Sequence, residues 1–587
     1  MQIKVNRNYF WSNIFIDQLV ECGVKYVCIS PGSRSTPLTY SISQNQNLRS
    51  FVNIDERSSG FFALGVAKKT GTAVLIVTTS GTATAELYPA IIEAYQNRVP
   101  LIIATADRPA YLRNSGSNQT INQDNLYKNH IRFFYDAGLP QLNTGRIKLF
   151  KQKITDAYRI CSIQNTGPVH FNLPFEKPLE PNSFDATIDE SLLRCALPDA
   201  FSNKTVKTSI PVKNIEKLNR SLKKNYCGII TVGPGNFSEN FVTKLENFSS
   251  KFALPIFADA SSGLAFKPNR ITNLITNFEA IIRSDKISDL FSPKINIHFG
   301  RTATSNKLDD FLKRTNCKRF IVNRFGDMFD SSKESTIIKL DEESFLQQYV
   351  NSSFEFLDQA LKSLNILKQM DVEVEKIKSS TLINFDKLNE PAILMKIIES
   401  IPPDSNLMIG NSTPVRDLDF FSSAVRKNIQ VFQNRGASGI DGITSTALGI
   451  CCQSKNPTYL VIGDLSYYYD INSLLIAKKF EIPLIVILIN NNGGSIFRFL
   501  PISDYKNVFE KYFLTPTKLS FKKLTEAFEV DYKELKNYKD ILNHLKVSNI
   551  RKKAVVYEIK TDSEYSLSMR KKYWKRVNTF VQKYEVI

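Results

Sequence analysis

The sequence predicts an α/β protein of three doubly wound parallel-sheet domains, and three observations carry that reading. Short, fully apolar runs rich in β-branched residues alternate with amphipathic stretches, as strands buried on both faces of parallel sheets require. A chain of 587 residues exceeds what one core accommodates and suits two to four domains. The hydrophobic share of 42% and charged share of 23% match an ordinary folded protein and exclude a disordered one.

Each unit shows the pattern in turn. In 1–190 a strand at Ala73–Thr79 leads through SGTATAE into a helix at Thr84–Asn97 and a strand at Leu101–Ala106, a βαβ unit. Strand-like Pro168–Leu173 and the proline-punctuated FEKPLEP close the segment. In 205–355 apolar runs at Gly228–Val232, Ile256–Ala258, Ile295–Phe299 and Phe320–Val322 predict a smaller sheet of the same kind. The stretch 356–389, inside the polar run Phe354–Asn389, reads as a connector with helical character. In 390–587 strand Tyr459–Ile462, helix Ile471–Phe480 and strand Leu484–Ile489 repeat the first theme.

Bulk properties narrow the function classes. The longest aliphatic run, about Leu484–Ile489, is far short of the roughly 20 residues of a membrane helix. The opening MQIKVNRNYFWSNIF has no apolar h-region or small-residue cleavage site, so a cytoplasmic location is expected. The 8 cysteines form no CxxC, and free thiols in a reducing compartment are expected. A net charge of +19 gathers in stretches such as Lys204–Lys224 and Arg551–Arg576. No helix-turn-helix, zinc-finger or RRM pattern accompanies it, so the expectation is a solvated basic surface with at most peripheral membrane contact and no nucleic acid.

The motif with most weight is Ile462–Gly463–Asp464, ending one buried strand, and Asn490–Asn491–Asn492, ending the next, with 26 residues between Asp464 and Asn491. Both sets are predicted at the carboxyl edge of one parallel sheet, where open α/β folds place ligands. A hard cation such as Mg²⁺ takes a few protein oxygens together with phosphate oxygens. Asp464 offers a carboxylate, Asn491 an amide oxygen and Gly493 a backbone carbonyl. Gly463 lets the backbone come close, and the amides of Leu465 and Ser466 open a helix able to meet a phosphate. A turn with no ligand would explain GD alone, but not GD, spacing and NN together.

This pattern resembles the thiamine-diphosphate signature of the decarboxylase and acetolactate-synthase superfamily, which implies domains of the thiamine-diphosphate enzyme type. The resemblance also implies a glutamate at a strand end of the first domain, bonded to N1′ of the aminopyrimidine. Glu56, after Phe51–Ile54 in NIDERSSGFFALG, fits; a helix-start acid favoured by the dipole would equally explain Asp55. SPGSRS (30–35) and NRGASGIDG (434–442), with TADRP, SNQTI, GPVHFNLPF and GNSTPVRD, resemble the 2-succinyl-5-enolpyruvyl-6-hydroxy-3-cyclohexene-1-carboxylate synthase family over about residues 5–500.

The resemblance implies transfer of a succinyl unit from 2-oxoglutarate to isochorismate with loss of CO₂, a transferase of menaquinone biosynthesis using thiamine diphosphate and Mg²⁺ or Mn²⁺. Carboxylate-rich substrates call for guanidinium groups that grip them two-pronged. By resemblance Arg34, Arg108 and Gln119, with Ser33 nearby, face isochorismate. Arg416 and Arg435 take the succinyl carboxylate beside Ser412, Ile440 supports the bent cofactor, and Ile496 and Phe497 close the apolar side. The family places a lysine in the middle segment; here Asn306 aligns with it and Lys307 follows, so Lys307 is the candidate. The resemblance further implies a homodimer or dimer of dimers with active sites between subunits. Two rival readings stand beside it. One is a different thiamine-diphosphate decarboxylase or acetolactate-type enzyme, against which the arginine motifs speak. The other is an inactive α/β protein acting through its basic surface, against which intact Glu56, Asp464 and Asn491 speak.

Overall fold

A computed structural model describes residues 2–202, 210–223, 227–269, 271–350, 358–383, 387–546 and 553–585. Parts of the two basic stretches, at 203–209, 224 and 551–552, and of the connector, at 356–357 and 384–386, lie outside the described residues. Three parallel sheets organise the chain. The first holds β1 (Tyr26–Ile29), β2 (Arg49–Val52), β3 (Val74–Thr78), β4 (Leu101–Asp107), β5 (Phe133–Asp136) and β6 (Val169–Pro174), ordered β2-β1-β3-β4-β6-β5. Helix α1 (Glu56–Thr70) follows β2. The middle sheet holds β7 (Gly228–Val232), β8 (Ile256–Ala258), β9 (Ile295–Phe299), β10 (Lys318–Val322) and β11 (Thr336–Ile338), ordered β8-β7-β9-β10-β11, with α2 (Asn306–Arg314) after β9. Helix α3 (Asp358–Leu382) connects it onward.

The third sheet holds β12 (Asn406–Ile409), β13 (Gln430–Phe432), β14 (Thr458–Gly463), β15 (Ile485–Asn490), β16 (Asp531–Glu534) and β17 (Val555–Lys560), ordered β13-β12-β14-β15-β17-β16. Its helices include α4 (Glu390–Ser400), α5 (Thr413–Phe421), α6 (Ile443–Cys452), α7 (Asp464–Tyr469) and α8 (Ser563–Gln582). Written in order of appearance within each sheet, the first and third share one strand order, 2-1-3-4-6-5. The repeated αβ pattern in the sequence thus corresponds to a repeated topology.

Two predicted helices are broken. The stretch Thr84–Asn97 is two helices, Thr82–Glu86 and Tyr88–Asn97, because Pro89 lacks the N–H to continue the first and suits the opening turn of the second. The predicted Ile471–Phe480 opens as a 3₁₀ turn at Ile471–Ser473 before the α-helix Leu474–Lys479. All eight cysteines are free, and no helix among the described residues is long and apolar enough to cross a membrane.

The first and third sheets meet through α1 and α6. A Cβ on Gly65 would stand 2.1 Å from the Thr446 carbonyl oxygen, and one on Gly449 would stand 2.2 Å from that of Phe62, so the helices touch backbone to backbone. Phe61, Phe62, Leu64 and Val66 of α1 share one core with Ile443, Ala447, Leu448 and Leu460. Around this crossing Lys68 donates to the Gln433 carbonyl at 2.5 Å and to Asn434 Oδ1 at 2.7 Å, and Glu93 accepts from the amides of Gly436 at 3.0 Å and Ala437 at 2.7 Å.

Asp470 is wholly buried at the same interface, accepting from the Ser445 amide at 2.7 Å, Ser445 Oγ at 3.0 Å and Ser58 Oγ at 3.2 Å. Burial outweighs these donors and pushes its carboxyl up to about 6 from 3.8. A raised acid contributes stability in full below its unfolded value, and that contribution is lost as pH rises through the folded value. Asp470 is therefore expected to remove up to about 3 kcal/mol of stability between pH 4 and pH 7. Denaturant unfolding of Asp470→Asn over this range should show a smaller loss than the wild type; equal losses would refute the assignment.

Candidate active site

The carboxyl ends of β14 and β15 place Asp464 and Asn491 side by side at one edge of the third sheet. Asp464 Oδ2 accepts from the Gly493 amide at 2.7 Å, which draws the loop after β15 over the start of α7. Gly493 has φ +130°, and a Cβ there would stand 2.0 Å from the Leu514 carbonyl oxygen, so only glycine fits this turn. Burial pushes the Asp464 carboxyl up to about 7 against the amides of Gly493 and Leu465, with Glu390 adding to the rise. A buried carboxylate held this way favours a cation as partner.

Asn491 donates through Nδ2 to Glu390 Oε1 at 2.9 Å and to Ser495 Oγ at 2.6 Å, while its Oδ1 is buried with no hydrogen-bond partner. No group of three His, Cys, Asp or Glu that could hold a metal exists among the described residues. The donor set is one carboxylate, one orphaned amide oxygen and a glycine carbonyl. Around Gly463 no atom lies within 4 Å of an added Cβ, so the backbone that opens α7 faces free space. Ser466 Oγ donates to the Ile440 carbonyl at 2.6 Å, tying α7 to the 434–442 loop, in which the Ile440 side chain is exposed.

In the first sheet Asp55 caps α1, accepting from the amides of Arg57 at 2.8 Å and Ser58 at 3.2 Å. The capping role thus belongs to Asp55. Glu56, at the first helical position, has its carboxyl raised above the ordinary range, chiefly by burial and also by Asp55 and Glu86. No hydrogen bond or ion pair joins Glu56 to Asp464 or Asn491 among the described residues.

The arginines form two groups. Buried Arg34 donates through Nη1 to the Phe175 carbonyl at 2.7 Å, and its Nε has no partner. The Phe175 amide in turn donates to the Asp107 carbonyl, next to Arg108. Arg108 reaches the Asn118 carbonyl through Nε at 3.2 Å and Nη2 at 2.9 Å, beside Gln119, which has φ +52° and lies against Gly81. Ser33 is exposed, and its carbonyl accepts from the Thr36 amide.

On the third sheet Arg416 donates to the Ser412 carbonyl at 2.8 Å, and Arg435 approaches Asn411 Oδ1 at 3.5 Å. Burial, and after it the like charge of Arg435, lower Arg416, while the neighbouring Asp417 carboxylate acts in the opposite direction. Ile496 and Phe497 lie on the 3₁₀ turn Ser495–Phe499, with the Phe497 ring centroid 5.6 Å from that of Phe513. Lys307 stands apart: its Nζ pairs with Asp310 at 3.0 Å on the exposed side of α2, and Asn306 only opens that helix. The sequence assigned no role to Glu390, Asp417 or Arg570; Asp417 closes the GNSTPVRD motif and Glu390 is an acid in the first turn of α4, while Arg570 has no local signal.

Residues 11–126 match the model of the N-terminal TPP binding domain of thiamine pyrophosphate enzymes, and residues 423–559 match that of the C-terminal TPP binding domain. The overall fold is similar to that of benzoylformate decarboxylase from Polynucleobacter necessarius, with a TM-score of 0.68 and 14% identity, covering 94% of this chain and 98% of that one. Among curated relatives, the 2-succinyl-5-enolpyruvyl-6-hydroxy-3-cyclohexene-1-carboxylate synthase of Listeria innocua is 34% identical over 576 residues, covering 96% of this chain and 97% of the relative. The enzyme of the same name from Trichodesmium erythraeum is 32% identical over 581 residues, with 96% and 97% covered. The chain belongs to the 2-succinyl-5-enolpyruvyl-6-hydroxy-3-cyclohexene-1-carboxylate synthase family. The residues present fit a metal–diphosphate group: an orphaned amide oxygen, a buried carboxylate and an open backbone cradle are what one requires.

Proposed function

We propose that this chain is a thiamine-diphosphate-dependent transferase that joins 2-oxoglutarate to isochorismate with release of CO₂, in menaquinone biosynthesis. The product is 2-succinyl-5-enolpyruvyl-6-hydroxy-3-cyclohexene-1-carboxylate. The observation that carries this reading is the pair of arginines Arg416 and Arg435, which reach the Ser412 carbonyl and the Asn411 amide oxygen just past β12, the strand paired with the one that leads to Asp464. A decarboxylase for monocarboxylates has no use for a second carboxylate clamp, whereas a succinyl donor requires one.

In this reading Asp464, Asn491 and the Gly493 carbonyl hold Mg²⁺ or Mn²⁺, and Gly463, Leu465 and Ser466 face the diphosphate. When bound, thiamine diphosphate supplies the nucleophilic carbon and the electron sink that decarboxylation needs. Glu56 shares a proton with N1′ of the aminopyrimidine, and its burial, which raises the carboxyl above the ordinary glutamate range, favours keeping that proton. Ile440 supports the bent cofactor, and Ile496 and Phe497 keep water from the apolar side. Ser33, Arg34, Arg108 and Gln119 orient isochorismate. Lys307 contributes only if its pair with Asp310 opens. A homodimer, or a dimer of dimers, that completes each site from two copies belongs to the same reading. A cytoplasmic enzyme is proposed.

The test is product identification by mass from isochorismate, 2-oxoglutarate, thiamine diphosphate and Mg²⁺. The adduct and CO₂ are expected only when both substrates are present. CO₂ release from 2-oxoglutarate with no adduct would place the chain among simple 2-oxo-acid decarboxylases instead.

A further inference from the structure

A buried charged network lies behind the Asn491 amide rather than in front of it. Helix α8 delivers Arg570, only 3% exposed, between Asp417 of α5 and Glu390 at the start of α4. Arg570 Nε donates to Asp417 Oδ1 at 2.8 Å, and Nη2 donates to Asp417 Oδ2 and to Glu390 Oε2, the latter at 2.6 Å. The second Glu390 oxygen, Oε1, accepts from Asn491 Nδ2 at 2.9 Å and from Thr561 Oγ1 at 3.2 Å. The other Nδ2 hydrogen of Asn491 goes to Ser495 Oγ. Both amide hydrogens are thus committed.

Rotating the amide by half a turn would aim its oxygen at a carboxylate, a repulsive contact in a buried setting. Oδ1 is therefore held as the free acceptor. A buried ion pair by itself says little about function, since desolvation offsets most of its attraction. Here the pair has a third link, and that link ends on the amide whose oxygen the metal needs.

We infer that Glu390, gripped by Arg570, is a positioning residue that fixes the Asn491 oxygen towards the metal; the inference rests on the cofactor reading above. The same guanidinium holds Asp417, next in sequence to Arg416, so one side chain of α8 braces both the metal amide and the helix that carries the carboxylate clamp.

The test uses the full chain with saturating thiamine diphosphate and Mn²⁺ as the probe, following the resonance signal of free Mn²⁺. Glu390→Gln, with an unchanged circular dichroism spectrum, is expected to bind Mn²⁺ about 10–100-fold more weakly, the usual cost of losing a partner behind a metal ligand. Arg570→Lys keeps the charge but not the two-pronged grip, and should weaken Mn²⁺ binding in the same direction. A merely structural role would lower the unfolding temperature without changing the affinity of the folded protein. Variants that fold and bind Mn²⁺ as tightly as the wild type would overturn the inference; should Glu390→Gln not fold, Arg570→Lys decides alone. A wild-type chain that binds no thiamine diphosphate would remove the cofactor reading and this inference together.

Discussion

Replacing Glu56 by glutamine is expected to lower carboligation about 10²–10⁴-fold, the range that loss of a positioned proton-transfer group produces. The variant isolates chemistry from folding because Asp55, not Glu56, caps α1. Glutamine keeps the shape of the side chain and removes only the exchangeable proton. Thiamine diphosphate binding, followed by calorimetry, should survive. The pH profile supplies a second signature. Burial raises the Glu56 carboxyl, so it keeps the proton it shares with N1′ to a higher pH than an ordinary glutamate, and wild-type activity should fall as pH rises and that proton is lost. Full activity in Glu56→Gln would sink the proposed activation.

The second large effect belongs to Asp464. Asp464→Asn keeps an oxygen for the Gly493 amide and so preserves the turn, but it removes the charge that attracts the cation. Metal affinity is expected to fall by more than the roughly 100-fold typical of an outer partner. Activity should vanish at sub-millimolar Mg²⁺. The metal-free variant should unfold no earlier than the wild type, because a buried carboxylate that burial already disfavours has been neutralised. What it should lose is the rise in unfolding temperature that metal and thiamine diphosphate give the wild type. A variant still stabilised to the full extent by both ligands would exclude Asp464 from the metal site.

Much of this was legible in the sequence because the signals were local. β7, β8 and β9 are the apolar runs 228–232, 256–258 and 295–299, since a strand buried on both faces announces itself by composition. GD and NN fell at strand ends for the same reason. Glu56 and Asp55 were not separable by type, and only the cap geometry divides their roles. Pro89 breaks the helix there, although the amphipathic period around it reads as continuous. Arg570, Glu390 and Asp417 are joined across 153 and 180 residues, and nothing in one of two arginines on a long basic helix foretells that contact. Lys307 pairs with Asp310, three residues further along the same helix.

The glycine crossing of α1 and α6 has a consequence for how the chain can be divided. Phe61, Phe62, Leu64 and Val66 are covered by residues some 380 positions later, so the leading third owns only part of its own interior. Expressed alone, residues 1–190 would bare that aliphatic and aromatic face to water and be driven to aggregate. The piece is a half-molecule rather than an exchangeable module, and any chimera between relatives would have to carry both helices across as a set.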